Sequence, residues 1–224
     1  AFVAAEDANF YKHKGVDYVA IARAVLKDVV SRGYAQGAST ITQQTVKSLF
    51  LTPEKTIGRK LKELILAYRI EKKLTKEEIL YLYLNQIYLG DGAYGVEAAA
   101  QTYFGRGVST LTVAEGALLA GLAQAPTRYS PRRHIDKARA RQRYVLRRME
   151  EVGFLDKDAA ERAYKARLAL APPSTFRSKA AYFLEYVRNY LQEKYGADAM
   201  YRSEFRIYTT IDERLQEAAY DALT

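Results

Sequence analysis

The sequence predicts a mainly α-helical protein. Three observations carry that prediction: apolar residues recur at helical spacing along most of the chain, capping signatures stand where those stretches begin, and only one short segment alternates as a strand does. The 224 residues suffice to bury a sizeable core, as one large domain or one domain with an appended fragment. Hydrophobic residues make up 49% and charged residues 27%, which excludes a disordered chain.

In chain order, Asp17 precedes a stretch with Val19, Ala22, Val25, Leu26, Val29 and Val30 on one face, and Gly33 ends it. Thr75-Lys76-Glu77-Glu78 is a capping box opening a helix over Ile79 to Gln86, and Thr112-Val113-Ala114-Glu115 is another. The helix behind the second box carries Ala117, Leu118, Leu119, Gly121 and Leu122 and stops before Pro126. Its small, uncharged centre predicts burial on most sides. Asp136 starts a strongly basic helix reaching Val152, with Gly153 beyond it, and a further helix runs from about Ser178 to Tyr195, ending at Gly196. Pro172-Pro173-Ser174 between these two blocks is the strongest linker signal. Phe205, Ile207, Thr209 and Ile211 alternate as one short strand, and Asp212 caps a last amphipathic stretch. A lone strand needs a partner and none is evident, so the segment from about residue 204 reads as the start of a second domain.

A net charge of +9 suits an anionic partner: nucleic acid, lipid headgroups or a phosphate-bearing substrate. Charge alone does not choose among them. The chain has no Cys, which excludes disulfides and thiolate metal sites. No window offers about 18 consecutive apolar residues, so no helix is expected to span a bilayer. The start at Ala1-Phe2-Val3-Ala4-Ala5, without Met, reads as the cut end of a longer chain, so that any membrane anchor would have been removed upstream.

Four segments place polar residues where helical periodicity does not ask for them. They are Glu6 to Gly15 (EDANFYKHKG), Gly37 to Gln44 (GASTITQQ) with Lys47 behind it, Arg59 to Glu63 (RKLKE), and Ile79 to Asn85 (ILYLYLN). Each has an ordinary reading. Glu6-Asp7 fits the acidic first turn of a helix. Arg59, Lys60 and Glu63 fit surface i,i+3 and i,i+4 pairs. Ser39 to Gln44 fits a Ser/Thr-rich turn entering a helix. His13 reads as a structural hydrogen-bonding residue, and Asn85 as a helix C-terminal cap. The series Arg139, Arg141, Arg143, Arg147 and Arg148 reads equally as a solvated face or as a contact for substrate or membrane.

Taken together and in order, these segments resemble the signature motifs of glycosyltransferase family 51, the peptidoglycan glycosyltransferase domain of class A penicillin-binding proteins. Ala123 to Pro131 (AQAPTRYSP) and Arg141 to Leu146 (RQRYVL) are similar to that family as well. The resemblance covers residues 1–175. Residues 176–203 then read as a C-terminal helical part or linker, and 204–224 as the start of a linker to a transpeptidase domain absent from this sequence. It implies a lysozyme-like fold, with a large globular lobe and a small membrane-associated lobe enclosing a long cleft.

The reaction it implies is inverting transfer. The 4-hydroxyl of one lipid-linked disaccharide attacks the anomeric carbon of another, whose leaving group is undecaprenyl pyrophosphate. An alcohol is a poor nucleophile near neutral pH and needs a carboxylate to take its proton, while a pyrophosphate needs neutralising cations more than a proton donor. Glu6 matches the family's base and Glu63 its second essential carboxylate. Asp7, Ser39, Thr42, Gln43, Gln44, Lys47, Lys55, Arg59 and Lys60 match positions that bind substrate. Lys55 stands where many relatives have Arg, which keeps the charge and loses the bidentate fork. No cofactor is strictly required, although a divalent cation (Mg or Mn) at the donor pyrophosphate is compatible with the motifs.

The implied partners are lipid II, the lipid-linked glycan chain, the bacterial membrane surface and phosphoglycolipid inhibitors, with no nucleic acid. The implied location is the extracytoplasmic face of the cytoplasmic membrane. Val46, Leu49, Phe50 and Leu51, with Lys47, Lys55, Arg59 and Lys60 near them, form the expected interfacial segment. Two rival readings stay open: a glycoside hydrolase on the same fold, and a basic helical nucleic-acid-binding protein.

Overall fold

The structure, a computed structural model, describes residues 1–20, 22, 39–51, 56–173, 180–196 and 207–223. Its helices are α1 (Phe2–Glu6), α2 (Ile41–Phe50), α3 (Ile57–Glu71), α4 (Lys76–Gln86), α5 (Val96–Phe104), α6 (Val113–Leu122), α7 (Ile135–Glu151), α8 (Lys157–Lys165), α9 (Ala181–Tyr195) and α10 (Glu213–Leu223). Among the described residues there is no strand beyond one isolated antiparallel bridge, Tyr88 with Tyr94. The prediction of a mainly α fold holds. The chain divides into two compact units, Ala1–Ala171 and Pro172–Thr224.

In the first unit α6 is the axle. The predicted Thr112 box is formed, and Arg106 grips the Glu115 carboxylate with bonds of 2.5 and 2.6 Å. From Ala114 to Leu122 every residue but Gly116 is buried, because the sequence there offers small and aliphatic side chains on all faces. Leu118, Leu119 and Leu122 pack with Leu89, Tyr103 and Phe104. Ala117 and Ala120 meet Val145, Leu146 and Met149 of α7 and Ala4 of α1. Each fully buried leucine contributes roughly 1.5–3 kcal/mol. Gln142, itself buried, donates to the Ala114 carbonyl at 2.7 Å and fixes α7 along α6.

A second cluster joins Val3 and Phe10 to Ile41 of α2 and to Ile79 and Tyr83 of α4. The five-residue helix α1 thus belongs to both clusters, and its C-terminal residue, Glu6, emerges where they meet. The Thr75 box opens α4 as expected. A further box, unanticipated, opens α2: Thr40 Oγ1 accepts from the Gln43 amide, and Gln43 Oε1 accepts from the Thr40 amide.

Helices α5 and α8 carried no expectation. The basic helix begins at Ile135, one residue before Asp136, with His134 as its cap. Ala20 N donates to Asp17 Oδ1 at 2.8 Å, as an N-cap should. Most of the stretch from there to Gly33 lies outside the described residues, as does Phe205.

In the second unit α9 ends at Gly196, and Asp212 Oδ1 caps α10 by accepting from Arg214 N and Leu215 N. The expected strand is not formed over residues 207–212. An isolated extended segment has no ladder to join among the described residues. Instead Ile207, Thr209 and Ile211 line a groove with Phe183, Leu184 and Val187 of α9. Among the described residues no helix is long and apolar enough to cross a membrane.

Candidate active site

The segment after α1 is tied down by its own polar residues. The Asp7 carboxylate accepts from His13 Nε2 at 2.9 and 3.0 Å and from the Ile41 amide at 2.9 Å. His13 Nδ1 accepts from Gly15 N, which places the ring proton on Nε2, facing Asp7. Thr40 Oγ1 donates to the Gly15 carbonyl at 2.6 Å. These bonds bring the first turn of α2 against the end of α1. They also make His13 a structural residue and occupy most of Asp7's acceptor capacity.

One turn into α2, Gln44 Nε2 donates to Glu6 Oε2 at 3.1 Å. From the other side, α7 brings Arg141 Nη2 to 4.0 Å from Glu6 Oε1. Burial raises the Glu6 pKa above that of an ordinary glutamate. The Gln44 hydrogen bond and the Arg141 charge pull it back down, and Asp7 adds a smaller upward push. Glu6 is therefore a carboxylate whose affinity for a proton is strengthened by its surroundings.

The other wall is α3. Thr56 caps it by accepting from the Arg59 amide, and the 3.6-residue period places Arg59, Lys60 and Glu63 on one face. Glu63 is only 2% exposed. Its Oε2 accepts from Arg59 Nη1 at 3.1 Å and its Oε1 from Lys60 Nζ, which also donates to Ser39 Oγ at 3.0 Å. Two cations thus flank one buried carboxylate and present positive charge beside it.

Both walls border one cleft of about 800 Å³. Of the predicted site residues, Glu6, Asp7, Ser39, Gln44, Lys47, Arg59, Lys60 and Glu63 line it. Thr42 and Gln43 do not. Both are buried: Thr42 Oγ1 donates to Glu71 Oε1 at 2.6 Å, and Gln43 is spent on the capping box. Lys55 lies outside the described residues. Asn85 Nδ2 donates to the Tyr81 carbonyl at 2.8 Å, a helix-terminal role.

The basic helix splits. Arg141, Arg147 and Arg148, with Tyr144 and Glu151, line the cleft. Arg139 and Arg143 turn to α8 and stack on Tyr164 at 4.5 and 4.9 Å. Spacing held the clue: 141, 144, 148 and 151 follow one helical face, while 138, 142, 145 and 149 form the buried one. Among the described residues no group of three or more His, Asp or Glu is gathered as a metal-ligand set.

The transglycosylase family model matches residues 1–150. Penicillin-binding protein 1A of Aquifex aeolicus (strain VF5) is 48% identical over 223 residues, covering 100% of this chain and 30% of that protein. Penicillin-binding protein 1A of Escherichia coli (strain K12) is 47% identical over 226 residues, covering 100% of this chain and 26% of that one. The chain thus spans less than a third of the length of these curated relatives. Among solved structures, penicillin-binding protein 1A from Haemophilus influenzae is similar at 30% identity with a TM-score of 0.48, covering 81% of this chain and 24% of that one.

Proposed function

The chain belongs to the transglycosylase family, and from that premise we propose that it is a peptidoglycan glycosyltransferase domain polymerising lipid II into β-1,4-linked strands for the bacterial cell wall. The observation that carries this reading is the division of one cleft into two walls. A single proton-attracting carboxylate, Glu6, stands on α1, and a cation pair around Glu63 stands on α3.

Glu6 takes the proton from the acceptor's 4-hydroxyl as its oxygen attacks the donor's anomeric carbon and the bond to undecaprenyl pyrophosphate breaks. Arg59 and Lys60, with Lys47 in the same cleft, take up the charge that develops on the departing pyrophosphate. Glu63 keeps those two cations side by side. Transfer in one displacement inverts the anomeric centre and needs no covalent enzyme intermediate. Both Glu63 oxygens hold cations, Arg59 and Lys60, which supply the neutralising charge in this proposal. Every step is therefore assigned to side chains. A hydrolase would need an acid for a sugar leaving group and has no use for the cation wall. Nucleic-acid binding leaves the buried Glu63 without a purpose.

The domain would work at the extracytoplasmic face of the cytoplasmic membrane, on lipid II and the lipid-linked glycan chain. The apolar surface that supports this differs from the expected segment. Val46 is fully buried in the core, whereas Ile57 (91% exposed), Leu61, Ile65 and Tyr68 form an exposed stripe along α3, with Phe50 also exposed. Their spacing repeats at i, i+4, i+8 and i+11, the pattern of an interfacial helix. Flotation with anionic vesicles should fall by roughly tenfold or more in Leu61→Ser/Ile65→Ser, since two exposed apolar side chains that would enter the interface are lost. Undiminished flotation would remove the α3 claim.

The deciding experiment is polymerisation of lipid-linked disaccharide, run with and without a phosphoglycolipid inhibitor. Inhibitor-sensitive strand formation is expected. Cleavage of finished peptidoglycan without polymerisation would overturn the reading in favour of a hydrolase.

A further inference from the structure

We propose that Tyr144 is a positioning residue for this reaction: its ring holds the Arg141 guanidinium beside the Glu6 carboxylate, in a notch left open by Gly121. The inference rests on the assignment of Glu6 as the base and extends it to residues that touch no reacting atom.

The geometry is specific. The Arg141 guanidinium lies 4.1 Å from the centroid of the Tyr144 ring, three residues on along the same face of α7. Arg147 approaches the same ring less closely, at 5.8 Å. At its base, the Arg141 side chain crosses α6 at Gly121, where an added Cβ would sit 3.1 Å from Arg141 Cγ and 3.4 Å from its carbonyl carbon. A side chain at 121 would press Arg141 aside by a few tenths of an ångström. Arg141 Nε is buried and has no hydrogen-bond partner among the described residues. Its Nη2 stands 4.0 Å from Glu6 Oε1, beyond hydrogen-bonding distance. The head group is therefore aimed by the ring and the notch, not by a hydrogen bond to Glu6. A contact of that kind weakens as soon as its support shifts.

The charges around Glu6 leave Arg141 a distinct role. On α7, Arg147 and Arg148 are both paired with Glu151. On α3, Arg59 and Lys60 are both paired with Glu63. From α2 come the neutral Gln44 and the cleft-lining Lys47, from α4 the buried Tyr83 hydroxyl, and from the chain itself Asp7. Arg141 is the cation that α7 presents to Glu6, and its charge opposes the upward pull of burial on that carboxylate. A ring that keeps Arg141 in place therefore keeps Glu6 ionised and able to accept a proton further into the acid range.

The test is the pH–rate profile of lipid-linked disaccharide polymerisation by the full chain. Tyr144→Leu removes the ring face: the acid limb should move to higher pH, and the rate at neutral pH should fall roughly three- to tenfold, the scale of one cation–π contact. Tyr144→Phe keeps the face and should keep the limb where the parent has it. Arg141→Met should move the limb in the same direction and at least as far, and adding Tyr144→Leu to it should move the limb no further. Should Tyr144→Leu fail to fold, Gly121→Ala displaces Arg141 from the other side and should shift the limb upward as well.

A uniform rate loss at every pH with the limb unmoved would overturn the inference. So would a Tyr144→Phe profile shifted like that of Tyr144→Leu, since the hydroxyl would then be the active part. The residual activity of Glu6→Gln separates the two levels. A limb that survives in that variant overturns the base assignment and this inference with it. A limb that vanishes there yet ignores Tyr144→Leu overturns this inference alone.

Discussion

Glu6 and Glu63 border the same cleft and are both largely shielded from water, yet they face different company. Glu63 is held between Arg59 and Lys60, so its oxygens are fully engaged and its charge is matched at contact distance. Among the described residues, Glu6 has one neutral hydrogen-bond donor, Gln44, and one cation standing off at 4.0 Å. The difference teaches what burial does to a carboxylate. Beside two cations it becomes a fixed counter-ion that organises positive charge for a phosphate. Left nearly alone, it gains affinity for a proton and becomes a base.

The largest expected effect breaks the comparison at Glu6. Glu6→Gln keeps size and polarity but cannot accept a proton, so polymerisation should fall by roughly a hundredfold or more. Affinity for a phosphoglycolipid donor mimic should barely move. Near-normal turnover would end the mechanism.

At Glu63 the expected pattern differs in kind. Glu63→Gln leaves Arg59 and Lys60 without their shared partner. Rate and donor-mimic affinity should then change together, each by roughly tenfold, the scale of losing a buried charged hydrogen bond. A rate loss with unaltered inhibitor titration would make Glu63 a catalyst in its own right.

The acid side of the rate profile sharpens the contrast. Because the folded pKa of Glu6 is raised, activity should be lost on acidification at a pH above the ordinary glutamate value of 4.5. Gln44→Ala, which removes a bond favouring the ionised form, should move that limb higher still. For stability, linkage runs in the opposite pH direction. A raised folded pKa contributes stability that is present below the unfolded pKa and lost as pH rises through the folded one. Glu6→Gln should therefore melt above the parent at neutral pH, and the gap should close in acid. A gap independent of pH would contradict the raised pKa.

The smallest effect tests the rim of the cation wall. Ser39→Ala removes the hydroxyl that accepts from Lys60 Nζ while leaving Glu63 in place. Donor-mimic affinity should weaken by roughly twofold to fivefold, as for one solvent-accessible hydrogen bond. A change as large as that in Glu63→Gln would mean that Ser39, not Glu63, aims the lysine.

Much of this was legible in the chain itself, and the reasons are local. Thr75 with Glu78 and Thr112 with Glu115 are capping boxes four residues long, and a motif that closes on itself needs no distant partner. The face shared by Arg59, Lys60 and Glu63 follows from helical period alone. The all-round burial of α6 follows from its composition.

What tertiary structure decided was which neighbours each of these elements meets. Thr42 and Gln43 sit in the same polar run as Gln44, yet only Gln44 turns toward Glu6, because Gln43 closes the helix cap and Thr42 finds Glu71. The arginines of α7 look alike in sequence and divide between α8 and the cleft according to what packs beside each. The alternation at 207–211 forms no strand over the described residues, since a strand exists only against a partner. Sequence by itself determined the boxed helix starts at Thr75 and Thr112, the pairing of charges within a turn, and the family motifs. Distance-dependent properties, such as the raised pKa of Glu6 and the reach of Arg141 toward it, arise from residues far apart in the chain and exist only once α1, α2 and α7 are packed together.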